Sequence, residues 1–258
     1  MCLIVLAWQA RPDLPLVIAA NRDEWRERPA EPAHWWSDHP DLLAGRDLQA
    51  GGTWMGITRQ GRFAAVTNFR DPSDKRSTAR SRGTLVTEFL LGKESPARFL
   101  SNLSARADEY NGFNLVLGDR DGLFYYGSRE GEPRAIEPGV HALSNHLLDE
   151  PWPKVVKGRE RMEAALEARD PSPALFELLS DIEGAPDGAL PQTGVGLAWE
   201  RRLASALITG QGYGTRASTM LSVASSGKAV MEERTREPDG SVSGVVTERF
   251  GIPFAVTS

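Results

Sequence analysis

The sequence predicts an α+β layered fold, in which antiparallel sheets are covered by helices. Three observations predict it. Short β-type runs come in pairs joined by turn residues, helical spacing is confined to two separate blocks, and strands return after each block. A parallel sheet would need strict strand–helix alternation, which is absent. At 258 residues, 40% hydrophobic and 25% charged, the chain has ordinary globular composition and enough length to bury a core without staples. A single domain spanning 1–258 is expected, with no internal repeat.

The elements follow in order. Cys2–Trp8 and Leu16–Ala20 read as an antiparallel pair across the turn-like Arg11-Pro12-Asp13-Leu14-Pro15. A long loop, rich in Pro, Trp and charge, is expected from about Glu24 to Gln49, and a loop of that length is often functional. Thr53–Thr58 and Arg62–Asn68 form a second hairpin around Arg59-Gln60-Gly61. Leu85, Val86, Phe89 and Leu90 then share one helix face, and Ser95-Pro96 supplies an N-cap and first-turn proline for a helix bearing Phe99, Leu100 and Leu103. Strands return at Phe113–Gly118, Leu123–Ser128 and His141–Ser144. Helices follow at about Pro153 to Ala168, from Ser172-Pro173, and over Trp199–Ile208, with a Gly/Pro loop at Gly184–Gly196. The chain closes on strands at Ser218–Ala224, Ala229–Arg234 and Ser243–Phe250.

Charge and cysteine content narrow the function classes. A net charge of −5 argues against a nucleic-acid-binding face. The local basic run Lys75, Arg76, Arg80 and Arg82, flanked by Asp71 and Asp74, reads as a solvated loop, with a substrate-anion role as the alternative. Only five of the 30 basic residues are Lys, a bias of GC-rich bacterial genomes. The single cysteine forbids an intrachain disulfide and any paired-cysteine metal site. The apolar run at the N-terminus lacks a basic leader and reads as a strand, not a signal peptide. No run approaches the ~18–20 apolar residues of a membrane span. A cytoplasmic location is therefore expected, and the oligomeric state stays open.

The chemistry starts at Cys2. Once the initiator Met1 is removed, a terminal Cys presents a thiol beside an α-amine of pKa about 7.7–8.0, so the nucleophile carries its own general base. The plainer reading is a small apolar residue starting a strand. Asn21-Arg22-Asp23-Glu24 closes the next strand, where an Arg would lower a thiol pKa and an Asp would hold the Arg or the α-ammonium; a polar turn is the alternative. Asn68 and Asn145 end strands and offer neutral amide donors for an oxyanion, or form turns. Gly210, Gly212 and Gly214 make a flexible loop before Thr215-Arg216 and lack the strand–helix context of a dinucleotide site. Trp25, Trp35, Trp36 and Trp54 suit an apolar ligand wall or the packing of the long loop; Trp54, after Gly51-Gly52, reads as core.

Taken together, Asn21-Arg22-Asp23-Glu24, Ala44-Gly45-Arg46-Asp47, Gly51-Gly52-Thr53-Trp54-Met55-Gly56, Thr67-Asn68-Phe69-Arg70, Leu143-Ser144-Asn145 and Gly214-Thr215-Arg216 resemble the NRDE family, whose eukaryotic member is transport and Golgi organisation protein 2. That family in turn resembles the cysteine-type N-terminal nucleophile hydrolases. The resemblance implies a four-layer αββα sandwich and an amidohydrolase acting on a linear amide C–N bond. It implies Cys2 as nucleophile, with Arg22, Asp23, Asn68, Asn145 and Arg216 around it. In that group the Asp is spaced away from the Arg, whereas Arg22 and Asp23 are adjacent here. No cofactor is needed for hydrolysis. The alternative that the resemblance carries is a non-catalytic haem-trafficking or acyl-lipid/acyl-CoA binding protein on the same fold. For haem, His34, His39, His141, His146 and Cys2 are the candidate axial ligands. The expected partners are thus a small-molecule amide, an acyl ligand or haem.

Overall fold

Met1 lies outside the residues described by the structure, a computed structural model covering 2–74, 76 and 79–253, and so does Lys75 of the basic run. The removal of Met1 therefore stays an expectation. The chain opens with β1 (Cys2–Trp8), buried along its whole length, and β2 (Leu16–Trp25). β2 runs past Ala20 and carries Asn21-Arg22-Asp23-Glu24 inside the strand, so these residues are not a turn. The expected loop over 24–49 contains two strands, β3 (Ala30–Trp35) and β4 (Leu42–Asp47). Pro32 and the charges mask them, because a proline is tolerated on an edge strand, and β3 is one. β5 (Met55–Thr58) and β6 (Phe63–Asn68) form the expected hairpin.

Next, α1 (Gly83–Leu91) buries the four apolar residues of its predicted face. α2 (Pro96–Ser104) starts where Ser95 accepts a bond from the Arg98 N–H. β7 (Phe113–Gly118), β8 (Leu123–Gly127), a two-residue edge strand β9 (Arg134–Ala135) and β10 (Gly139–Leu143) follow. Two helices, α3 (Pro153–Leu166) and α4 (Ser172–Leu179), each begin beside a proline. α5 (Leu197–Arg202) is shorter than its apolar pattern suggests. β11 (Tyr213–Val223), β12 (Lys228–Arg236) and β13 (Val242–Gly251) end the fold.

The strands form two antiparallel sheets, ordered β10-β1-β2-β11-β12-β13 and β3-β4-β5-β6-β7-β8-β9. Three buried clusters establish the layers. Ile4, Leu6, Ile18 and Ala20 of the first sheet pack against Leu43, Ile57, Phe63 and Val116 of the second. The other face of the first sheet, with Leu3, Val5, Val17 and Ala19, is covered by Val155, Met162, Leu175 and Leu179 of α3 and α4. The outer face of the second sheet is covered by Leu85, Phe89, Phe99 and Leu100 of α1 and α2. The molecule is thus an αββα sandwich, as expected. Each large apolar side chain buried in these layers contributes about 1.5–3 kcal/mol. Strand alternation then places the motif residues. Even positions of β1 and β2 face the opposing sheet and odd positions face the helices, so Arg22 and Asp23 leave the strand on opposite sides.

Candidate functional site

The register of β1 and β2 sets Cys2 directly opposite Arg22. Both line a cavity of about 480 Å³, together with Asp23, Asn68, Arg82, Trp54 and Arg216. Five of the six predicted site residues therefore share one cavity, drawn from four separate stretches of chain. Asn145 is the exception. It is fully buried and absent from the wall; its Nδ2 donates to the Asn68 carbonyl at 2.9 Å, and its own carbonyl accepts from the Arg70 N–H at 2.7 Å. Asn145 thus holds the Asn68 backbone in place and does not reach the cavity.

Arg216 owes its place to a β-bulge. Thr215 pairs with Asp23 and Ala217 with Arg22, which leaves Arg216 as the extra residue. One of its nitrogens, Nη1, donates to the carbonyls of Trp25, Arg26 and Arg28 at 3.0, 3.2 and 3.0 Å, so this guanidinium also pins the turn between β2 and β3. Gly214 lets the segment enter: a Cβ there would lie 2.5 Å from the Ile208 carbonyl. Gly52 plays a similar part, since a Cβ would lie 2.7 Å from the Gly83 carbonyl. Its bare backbone admits the start of α1, and Ser81, Arg82 and Gly83 thereby join the cavity wall.

The thiol is buried, and burial raises its pKa, with the Asp23 carboxyl adding to the rise; the Asp23 backbone and Arg22 pull it back only in part. The sulfur is thus a protonated thiol at neutral pH and needs a base to react. Asp23 turns its carboxyl to the helix side, where the Thr215 hydroxyl donates to Oδ1 at 2.7 Å. Its pKa is raised by burial, against the pull of nearby Lys154. Lys154 of α3 is itself buried, with no hydrogen bond to its Nζ among the described residues, and burial lowers its pKa to about 8. Beyond it, Arg70 and Glu200 form a buried ion pair at 2.7 Å, and Thr193 donates to the second oxygen of Glu200 through its backbone and hydroxyl.

Sequence reasoning missed Lys154 and Glu200, and gave Arg82 a ligand-facing role only as the alternative. Arg82 stood in the basic run read as a solvated loop; the structure puts Arg76, Arg80 and Arg82 in the cavity wall instead. The signal was present in Gly52, whose partner is the glycine next to Arg82. Lys154 and Glu200 carry no local signal. Asn21, the first letter of the tetrapeptide, is structural: its Nδ2 donates to the carbonyls of Leu179 and Ala206, and its Oδ1 accepts from Ser218.

The tryptophans divide. Trp54 packs against the inter-sheet core, as expected, and also lines the cavity; Trp36 is buried with its Nε1 on the Ala44 carbonyl, Trp35 meets Phe250 edge to face, and Trp25 packs at the surface against Trp199 and Tyr213. They form no common aromatic wall. Of the five candidate haem ligands, only Cys2 lies on the cavity. His141 is bound between Asp149 and the Glu137 carbonyl, His34 bonds the Pro32 carbonyl, and His146 stacks between Phe69 and Trp152. No helix is long and apolar enough to cross a membrane, and no group of three or more His, Cys, Asp or Glu is placed to hold a metal, both among the described residues.

The chain is similar to several known proteins. A conjugated bile acid hydrolase from Clostridium perfringens aligns with a TM-score of 0.42 at 10% identity, over 100% of this chain and 99% of that one. A Caenorhabditis elegans N-acylethanolamine-hydrolyzing acid amidase ortholog gives 0.39 at 10% identity, over 85% and 92%. The transport and Golgi organization protein 2 homolog of Bos taurus is 36% identical over 257 residues, covering 91% of this chain and 93% of the bovine protein. The human homolog is 34% identical with the same coverage. Residues 1–238 match the family model described as Transport and Golgi organisation 2. The chain belongs to the transport and Golgi organisation 2 family.

Proposed function

We propose that the protein is an amidohydrolase whose nucleophile is the thiol of an N-terminal Cys2, acting on the C–N bond of a linear amide. One observation carries the reading: the only sulfur nucleophile of the chain sits in the wall of an open polar cavity, opposite Arg22 and in company with Asn68. A buried thiol is a poor nucleophile by itself, so the mechanism rests on a base within reach. Removal of Met1 frees an α-amine with an ordinary pKa of about 7.7–8.0, which accepts the thiol proton.

The sulfur then attacks the amide carbon, and the carbonyl oxygen becomes an oxyanion. The Asn68 side-chain amide is the donor on the cavity wall suited to it. Collapse breaks the C–N bond; the leaving amine takes the proton held by the α-ammonium, and a thioester remains on Cys2. Water, deprotonated by the same amine, hydrolyses the thioester and restores the thiol. Asp23 and Arg22 set the charge around the amine and sulfur, and Arg216 holds polar groups of the substrate.

Two measurements test this. The intact mass of purified protein is expected to lack Met1, and an acyl-type electrophile is expected to add once per chain and not at all to Cys2→Ala. A mature protein that retains Met1 overturns the amine-as-base mechanism. Saturable acyl-ligand binding without turnover, unchanged in Cys2→Ala, replaces the hydrolase with the carrier alternative.

A further inference from the structure

The cavity wall is dominated by arginine. Seven line it, namely Arg22, Arg28, Arg46, Arg76, Arg80, Arg82 and Arg216. Most proteins neutralise such a concentration with carboxylates, and here that is only half done. Arg28 pairs with Asp47, Arg46 with Asp38, and Arg80 with Glu88 and Glu109. Arg82 donates to the Gly112 carbonyl and Arg216 to three carbonyls, but neither pairs with a carboxylate among the described residues. The backbone of Arg22 is paired in the sheet, but its guanidinium makes no hydrogen bond or ion pair among the described residues. The acids of the wall do not cancel this charge. Asp47 is already paired, Glu31 lies against His34, and the Glu233 carboxyl is buried on the Ala33 N–H and the Thr219 hydroxyl with a raised pKa. Asp23 faces the helix side, which leaves Glu24, its Oε1 engaged by the Trp25 N–H, and the exposed Glu31 as the solvent-side counter-charges to Arg22, Arg82 and Arg216. Finally, α1 points its positive end at the same cavity. Its N-cap is Arg82, no side chain caps it, and its first turn contains no acid.

We propose that the cavity binds its ligand through an oxyanionic group, a carboxylate or a phosphate, seated beside the Cys2 sulfur between Arg22, Arg82 and the start of α1. The proposal rests on the reading that Cys2 faces the ligand, and it names the substrate class: an amide that carries a negative charge close to the scissile bond. Neutral amides lack the group that would discharge Arg22 and Arg82. Guanidinium groups with open donor pairs bind carboxylate and phosphate oxygens bidentately, which also orients the substrate.

The test uses the lone cysteine as its own reporter. The alkylation rates of Cys2 by anionic iodoacetate and neutral iodoacetamide are compared at low salt, and their ratio is set against that of a short cysteine peptide. Both reagents need the same thiolate, so the ratio cancels any change in thiol pKa and reads only the attraction for negative charge. The ratio is expected to exceed the peptide's by about tenfold or more and to fall as salt is added. Arg22→Gln and Arg82→Gln are each expected to lower it about threefold, whereas Arg82→Lys keeps most of it.

Inorganic phosphate and succinate serve as competitors. Stronger protection by phosphate assigns a phosphate-bearing ligand, and stronger protection by succinate a carboxylate. A ratio equal to the peptide's, a ratio unmoved by both Arg→Gln variants, or protection by neither anion overturns the proposal. Should a variant fail to fold, the salt titration of the unmodified protein decides between attraction and its absence. The outcome is independent of turnover: a protein that hydrolyses neutral amides with a flat ratio keeps the hydrolase reading and loses this one, and a high ratio in a protein without turnover does the reverse.

Discussion

The two faces of the β1–β2 edge offer opposite solutions to the same problem. On the face toward the second sheet, Cys2, Arg22 and Asn68 border open space, and the guanidinium of Arg22 is left without a described partner. On the face toward the helices, Asp23, Lys154, Arg70 and Glu200 are sealed: Arg70 pairs with Glu200, the Thr215 hydroxyl donates to Asp23, and Lys154 lies buried among them with no hydrogen bond to its Nζ among the described residues. A single residue step along β2 separates the two environments. The open side keeps donors ready for a molecule that is not part of the chain. The closed side turns its acceptors to the chain itself, Asp23 to Thr215 and Glu200 to Arg70 and Thr193. Low dielectric makes the closed network strong when complete and costly when broken.

The largest effect expected of breaking this contrast is on the sealed side. Glu200→Ala leaves Arg70 charged and buried, and should lower the unfolding free energy by about 3–5 kcal/mol in urea titrations. A loss below about 1 kcal/mol would mean that the pair is hydrated and the two faces differ less than described.

The next effect is pH-dependent. Lys154 has a folded pKa of about 8, below its value near 10.4 in the unfolded chain. Between those values the unfolded state binds more protons, so this residue makes stability rise with pH, and its penalty is fullest below pH 8. Lys154→Met should therefore be more stable than the parent at pH 7 by about 2–3 kcal/mol, with the gap closing toward pH 10. Thermal melts of both proteins across that range would show it; a constant gap would mean that Lys154 is not a suppressed base.

Glu233 sharpens the comparison from the inter-sheet side. Its raised pKa means that the folded state holds a proton that the unfolded state releases, so its contribution is lost as pH rises through the folded value. Glu233→Gln keeps the bond from the Ala33 N–H and should stabilise the protein by about 1 kcal/mol at pH 8 and hardly at all at pH 4. Smallest of all, Arg22→Gln should change stability by no more than about 0.5 kcal/mol, because no described residue depends on it. A larger loss would make Arg22 a structural residue like its neighbours on the helix side.

Much of this arrangement was legible in the sequence. The β1 and β6–β8 strands and the first two helices follow from apolar spacing and capping residues, and the motif segments named five residues that do meet at one cavity. β3 and β4 were not legible, because an edge strand needs only one bonded neighbour and tolerates Pro32 and the exposed Glu31. That Asn145 lies off the cavity wall was not legible either, because an asparagine at a strand end looks the same whether it faces a ligand or a carbonyl of its own chain. The tryptophans misled for a similar reason: closeness in sequence across two strands and their turns does not mean a shared face. Arg76, Arg80 and Arg82 looked solvated because their counterparts across the cavity lie on β2, β4 and β11.

By itself, the sequence determined most of the strands and helices, though not β3 and β4, and which family the chain belongs to, because apolar periodicity and short motifs are local properties. Only the tertiary structure decided which side chains meet. The two-residue period of β2 divides Arg22 from Asp23, the bulge in β11 redirects Arg216, and the contact of Gly52 with Gly83 carries Arg82 to the sulfur. Each of these depends on the register between distant strands, and register is a balance of packing over the whole sandwich that no local stretch of residues contains.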